Sequence, residues 1–148
     1  MPAPHDHRLV THLDYELSLA QPLTTDLLVE ARVAHLIGRA RRRQLWFLFL
    51  DEQGVQLPLI VPVTDPPRRP YAALAGLGVL VGRSARGCRA ASVVVVLERP
   101  APPTLMKDDR AWARAVHAAC DAEDVAVRAT LISHLGGVRA LALEDYRL

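Results

Sequence analysis

Two short runs, QLWFLFL at Gln44–Leu50 and AASVVVVLE at Ala90–Glu98, restrict the fold more than any other feature of the chain. Both have strand length and are rich in aromatic or β-branched side chains, and neither alternates apolar with polar residues. A strand of this kind is buried on both faces. The sheet that holds them must carry helices above and below. The fold class expected is therefore α/β of the α+β type, in three layers, with a central mixed β-sheet and helices packed on it.

The segments around these runs supply the remaining elements. VQLPLIVPV follows the turn DEQG, in which Gly54 can take positive φ, so Leu45 to Val63 reads as a hairpin. Pro58 and Pro62 cannot donate to a ladder, which sends the second strand to a sheet edge. TTDLLVEARVAHLIGRARRR predicts a helix capped by Thr24 or Thr25, with Asp26 in its first turn and Leu27, Ala31, Ala34 and Ile37 as its apolar stripe, widened by Leu28 and Leu36. Arg39 to Arg43 would then end that helix, where exposed cations favour the dipole by about 0.3–1 kcal/mol each.

YAALAGLGVLVGRSARG predicts a second helix through Leu74, Leu77 and Val81, weakened by about 1 kcal/mol each at Gly76 and Gly78. Asp108 or Asp109 caps a third, RAWARAVHAACDAED, whose stripe is Trp112, Ala115 or Val116, and Ala119. VAVRATLIS and VRALAL, joined by HLGG, form a closing hairpin that turns at Gly136 and Gly137. Residues 1–20 read as a flexible tail with a short strand near Leu13–Leu19, and residues 21–148 as a single globular domain.

Bulk properties narrow the function. A chain of 148 residues can bury one sizeable core, and a net charge of +2 provides no global field for nonspecific nucleic-acid binding. Cys88 and Cys120 have no CxxC spacing, which fits reduced thiols in a cytoplasmic protein. No run reaches the roughly 18 consecutive apolar residues of a membrane span, so no membrane partner is expected.

The strand AASVVVVLE enters the loop RPAPPTL and then the helix start MKDD. This order of elements, over Thr24 to Leu143, resembles the JAB/MPN metalloprotease-like superfamily and its RadC-like members most closely. In that family the strand ends in His-x-His-Pro, and Ser- or Thr-x-x-Asp follows. Two His and one Asp hold a zinc with one position open, and the bound water attacks a carbonyl. Here Leu97 and Arg99 stand where the two His would be, and Pro100 keeps the Pro. Met106 replaces the Ser, Asp109 matches the ligand Asp, and Glu98 lies between the exchanged positions. One carboxylate beside an apolar Leu and a permanently charged Arg cannot hold zinc. No acid lies between Glu30 and Asp51 to act as general base. The resemblance implies an MPN-like domain and denies it the activity. Zinc deaminases share the order of elements, but their His-x-Glu and Pro-Cys-x-x-Cys patterns are absent.

Other candidates are fewer. His5 and His7, with His12, have metal-like spacing on a Pro-rich terminus. His134 stands at a strand end with no nucleophile assigned to it. Glu98, Asp108 and Asp109 flank one loop and could offer oxygens to Mg²⁺ or Ca²⁺, although caps and a Glu98–Arg99 strand-end pair explain them as well. Arg39, Arg41, Arg42 and Arg43 could join Arg68 and Arg69, and Arg83, Arg86 and Arg89, in a phosphate-contacting patch. The leading expectation is a catalytically inactive MPN-like domain without cofactor, a scaffold or protein-interaction module whose partner is an unknown protein or a second copy. The alternatives are a nucleic-acid accessory protein using the Arg39–Arg43 run, and a residual hydrolase built on Asp109 and His134.

Overall fold

A computed structural model describes residues 19–70 and 74–146. Helix α1 (Asp26–Leu36) leads into strands β1 (Gln44–Leu50) and β2 (Gln56–Thr64), and helix α2 (Leu74–Cys88) precedes β3 (Ser92–Glu98). Helix α3 (Lys107–Ala122) then carries the chain to β4 (Ala126–His134) and β5 (Gly137–Leu141), before a short 3-10 turn at Leu143–Asp145. The strands form one five-stranded mixed sheet in the order β2-β1-β3-β4-β5. Only β3 and β4 run parallel, and α3 is the long crossover that a parallel pair needs.

Both unalternating runs are buried on two faces, as their composition requires. Leu45, Phe47 and Phe49 of β1 and Val93, Val95 and Leu97 of β3 face α2 and α3, where they meet Val81, Trp112, Ala113 and Val116. Leu48, Leu50, Val94 and Val96 point the other way, onto Val29 and Val33 of α1. The result is an α+β fold in three layers, with one helix below the sheet and two above.

Helix α1 departs from its expected stripe. Thr25 caps it, its Oγ1 accepting from the Leu28 N–H at 3.2 Å. The buried face, however, is Val29, Arg32 and Val33, with Leu28 and Leu36 at its margin, while Leu27 is 78% exposed and Ala31 and Ala34 face solvent. Apolar residues surround this helix almost completely, so spacing alone does not select a face. The helix ends at Leu36, and Gly38 takes the left-handed φ of +68° that closes many helices. Arg39 to Arg43 therefore lie beyond the helix in the link to β1. His35, not an arginine, is the basic residue of the last turn.

Gly78 of α2 serves packing. A Cβ on Gly78 would stand 3.2 Å from the Ala119 carbonyl oxygen and 3.3 Å from its Cβ, so the absence of a side chain lets α2 approach α3 closely. In the closing hairpin Leu135 and Gly136 make the turn, with Gly137 already the first residue of β5. The short strand expected near Leu13 lies outside the described residues, apart from Leu19 itself.

Candidate functional site at the end of strand β3

Side chains alternate across a strand, so Leu97 and Arg99 look toward α3 while Glu98 looks toward α1. At this end of the sheet β3 gives way to the loop 100–106, which is tethered to the turn between β4 and β5 by the Leu135 N–H on the Ala101 carbonyl at 3.0 Å. Leu97 is buried in the core beside Trp112. Arg99 is only 5% exposed. A buried guanidinium must find an acceptor for every N–H or forfeit much of its solvation.

Arg99 finds all five. Nε donates to Asp109 Oδ1 and Nη2 to Asp109 Oδ2, both at 2.9 Å, in a fork-to-fork ion pair. Nη1 donates to the carbonyls of Ala101 at 3.3 Å and Pro102 at 2.9 Å, and Nη2 also donates to that of Thr104 at 3.0 Å. The guanidinium has five N–H donors in a fixed plane, and each has an oxygen here. Asp109 is likewise engaged, because its Oδ2 also accepts the Met106 N–H at 2.8 Å. One planar cation thus ties the strand end, the Pro-rich loop and the first turn of α3 into a single unit.

Several expectations about these residues are corrected. Neither Asp108 nor Asp109 is the N-cap of α3: that position is Met106, and Asp109 is the third helical residue reaching back to it. Asp108 instead lies 3.6 Å from Arg69 on the surface. Glu98 does not pair with Arg99, since the two point to opposite faces. Its Oε2 accepts the backbone N–H groups of Arg41 at 2.8 Å and Arg42 at 3.3 Å, and its Oε1 accepts Trp46 Nε1 at 2.9 Å. Glu98, Asp108 and Asp109 therefore do not converge on one point. Among the described residues no group of three His, Cys, Asp or Glu side chains could share a metal ion.

The residues that the resemblance sets against a zinc site do not fit zinc. Leu97 offers no donor atom, Arg99 offers only N–H groups, and the single matching carboxylate of Asp109 is already bound by Arg99. Pro100 opens the loop, exposed, and Met106 is half-exposed at its far end. Together Leu97, Glu98, Arg99, Asp108 and Asp109 line a small cleft of about 20 Å³ with Arg43, Gln44, Pro66 and Trp112.

Among the described residues no activated nucleophile stands nearby. His134 lies at the end of β4, where its Nδ1 accepts the Gly136 N–H at 3.0 Å. Burial, followed by the charges of Arg99 and Arg139, lowers its pKa from the usual imidazole value and so favours the neutral form. Cys120 is buried in α3, and burial, aided by the Asp121 charge, pushes its thiol up to about 11. Such a thiol is inert at neutral pH. His5 and His7 lie outside the described residues.

The arginines divide into two groups. Arg39, Arg41 and Arg42 are exposed and Arg43 is half-buried. The fold brings them to the loop of Arg68 and Arg69, because Arg43 Nη2 donates to the Pro67 carbonyl at 3.4 Å and the Asp65 N–H donates to the Arg43 carbonyl at 3.3 Å. Arg83, Arg86 and Arg89 do not join them. They lie around the carboxyl end of α2, beside the start of β3, where Arg86 approaches Glu123 at 3.6 Å.

Sequence reading misses two anchors here. Trp112 Nε1 donates to the carbonyls of Pro67 and Arg68 at 2.9 and 3.0 Å, and Ser133 Oγ donates to the Gly38 carbonyl at 2.6 Å. Both bonds end on backbone carbonyls, which carry no side-chain signature. The chain matches no protein-family model and none of the curated proteins.

Proposed function

We propose that this chain is a catalytically inactive MPN-like domain of the cytoplasm that works by binding another protein. The observation that carries the reading is the Arg99 guanidinium, which takes up the Asp109 carboxylate and three loop carbonyls together. In an active relative the corresponding strand end and helix start would hold a zinc. Here an internal cation links the same two elements and makes the loop rigid.

A rigid loop suits binding, since little conformational freedom is lost when a partner docks. Pro102 and Pro103 stand exposed on it, Met106 is 50% exposed at its end, and Leu135 is 53% exposed on the turn tethered to Ala101. The buried core of a protein interface is more apolar than the rest of the surface, and methionine is enriched there. The two free thiols, Cys88 and Cys120, support placement in a reducing compartment.

The test is a nuclease-treated pull-down of tagged protein from its host, compared with Met106→Glu/Leu135→Glu. A stoichiometric protein, or a second copy of the chain, that is retained by the parent and lost from the double variant supports the reading. Stoichiometric zinc together with cleavage of a peptide or isopeptide bond by the purified protein would overturn it.

A further inference from the structure

Ten residues in two separate segments, 39–43 and 65–69, contain six arginines and a single acid, Asp65. In a chain whose net charge is only +2, this concentrates positive charge at one end of the sheet. Arg39, Arg41, Arg42 and Arg68 are exposed, and among the described residues none of them forms an ion pair. Arg69 has only the half-buried Asp108, at 3.6 Å. The remaining acids of this end are withdrawn, since Glu98 and Asp109 are buried and their oxygens are occupied.

Both segments are held from beneath. The buried Glu98 carboxylate binds the backbone N–H groups of Arg41 and Arg42, and the Ala40 N–H donates to the His134 carbonyl at 2.8 Å. Trp112 fixes the second segment through the carbonyls of Pro67 and Arg68. Arg43 joins the two, and its own Nε is buried without an acceptor, against the cleft behind the rim. A cation left short of an acceptor, among guanidinium groups free of counter-charges, matches a ligand that carries several anionic oxygens.

We infer that Arg39, Arg41, Arg42, Arg43, Arg68 and Arg69 form a contact surface for the phosphate backbone of a nucleic acid. The partner is a polymer of phosphates because five exposed guanidinium groups, Arg39, Arg41, Arg42, Arg68 and Arg69, come from two segments and present more N–H donors than one small anion can accept. A lipid surface suits the rim less well. No large apolar side chain of segments 39–43 or 65–69 is exposed, so nothing there would enter the acyl region. With no aromatic side chain in either segment, contact is to backbone and not to base, and sequence preference is absent.

The experiment measures binding of the full chain to labelled single-stranded and duplex DNA and RNA of mixed sequence, about 20 nucleotides long, between about 50 and 200 mM salt. Four free guanidinium groups on phosphate predict a loss of affinity of about 100-fold over that range. Arg41→Gln/Arg42→Gln/Arg68→Gln should weaken binding at least about tenfold and flatten the salt slope by about 2 to 3. Arg83→Gln/Arg86→Gln/Arg89→Gln removes the same charge from the opposite end of the sheet and should bind as the parent does. Near-ultraviolet circular dichroism checks that each variant keeps its tryptophan packing. Equal losses from both triple variants, no binding at the lowest salt, or binding to phosphatidylserine vesicles in place of nucleic acid would each overturn the inference.

Discussion

Arg99 and Asp109 meet fork to fork in the interior, Nε on Oδ1 and Nη2 on Oδ2, both at 2.9 Å. Neither residue can be changed alone without stranding the other. Removing one partner of a buried ion pair typically costs about 3–5 kcal/mol, because an uncompensated charge stays behind. As a simple helix cap, Asp109 would tolerate Asn with little loss. As the counter-ion of Arg99 it should not, and Asp109→Asn is expected to lose about 3–5 kcal/mol in urea unfolding.

Glu98 predicts a second outcome. Its carboxylate accepts only, with Trp46 Nε1 on one oxygen and the Arg41 and Arg42 amides on the other. An amide in its place must turn an NH₂ group toward one of these donors. Glu98→Gln should therefore cost about 1–3 kcal/mol, the penalty of an unsatisfied buried donor, and shift the Trp46 emission. An unchanged melt and spectrum would show that the Arg41–Arg42 segment is not held this way.

The strands were legible in the residues for a physical reason. QLWFLFL and AASVVVVLE are too apolar to lie anywhere but between two layers, and Pro58 and Pro62 kept β2 at the edge. The buried face of α1 was not legible, since Leu27 and Leu28 are equally apolar and only the position of the sheet distinguishes them. At the site, the geometry was readable in part. Residues 97 and 99 do share the face that looks at Asp109, but the role of Arg99 depends on carbonyls of the folded loop. The contacts of Glu98 span 52 to 57 residues and end partly on backbone amides, which no spacing rule reports.

Two of the glycines of α2, Gly76 and Gly78, separate packing from propensity. Gly76 has nothing within 4 Å of an added Cβ, so Gly76→Ala should stabilise by about 0.5–1 kcal/mol through helix propensity alone. Gly78→Leu should destabilise by about 1–3 kcal/mol, because its side chain would be forced against the Ala119 backbone. Similar shifts in melting temperature for both would contradict the close approach of α2 and α3.

His134 sets a pH dependence. Its pKa is lowered in the folded chain by burial and by Arg99 and Arg139, so between that lowered value and about 6.5 the unfolded chain binds more protons. Its contribution to stability is complete above about 6.5 and declines as pH falls through that window. His134→Asn, which retains an acceptor for the Gly136 N–H, should melt with a shallower loss between pH 7 and 5 than the parent. Parallel curves would show that His134 is not buried in its neutral form.

The most direct test of the internal clamp is a double-mutant cycle on Arg99 and Asp109, followed by urea unfolding. Arg99→Ala and Asp109→Ala should each cost about 3–5 kcal/mol, and the double variant should lose far less than their sum, since the pair is removed as a unit. Small, additive losses of under about 1 kcal/mol each would mean that the two side chains act independently near the surface. In that case Asp109 would be free for another ligand, and the reading of this domain as a binding module without chemistry would lose its structural basis.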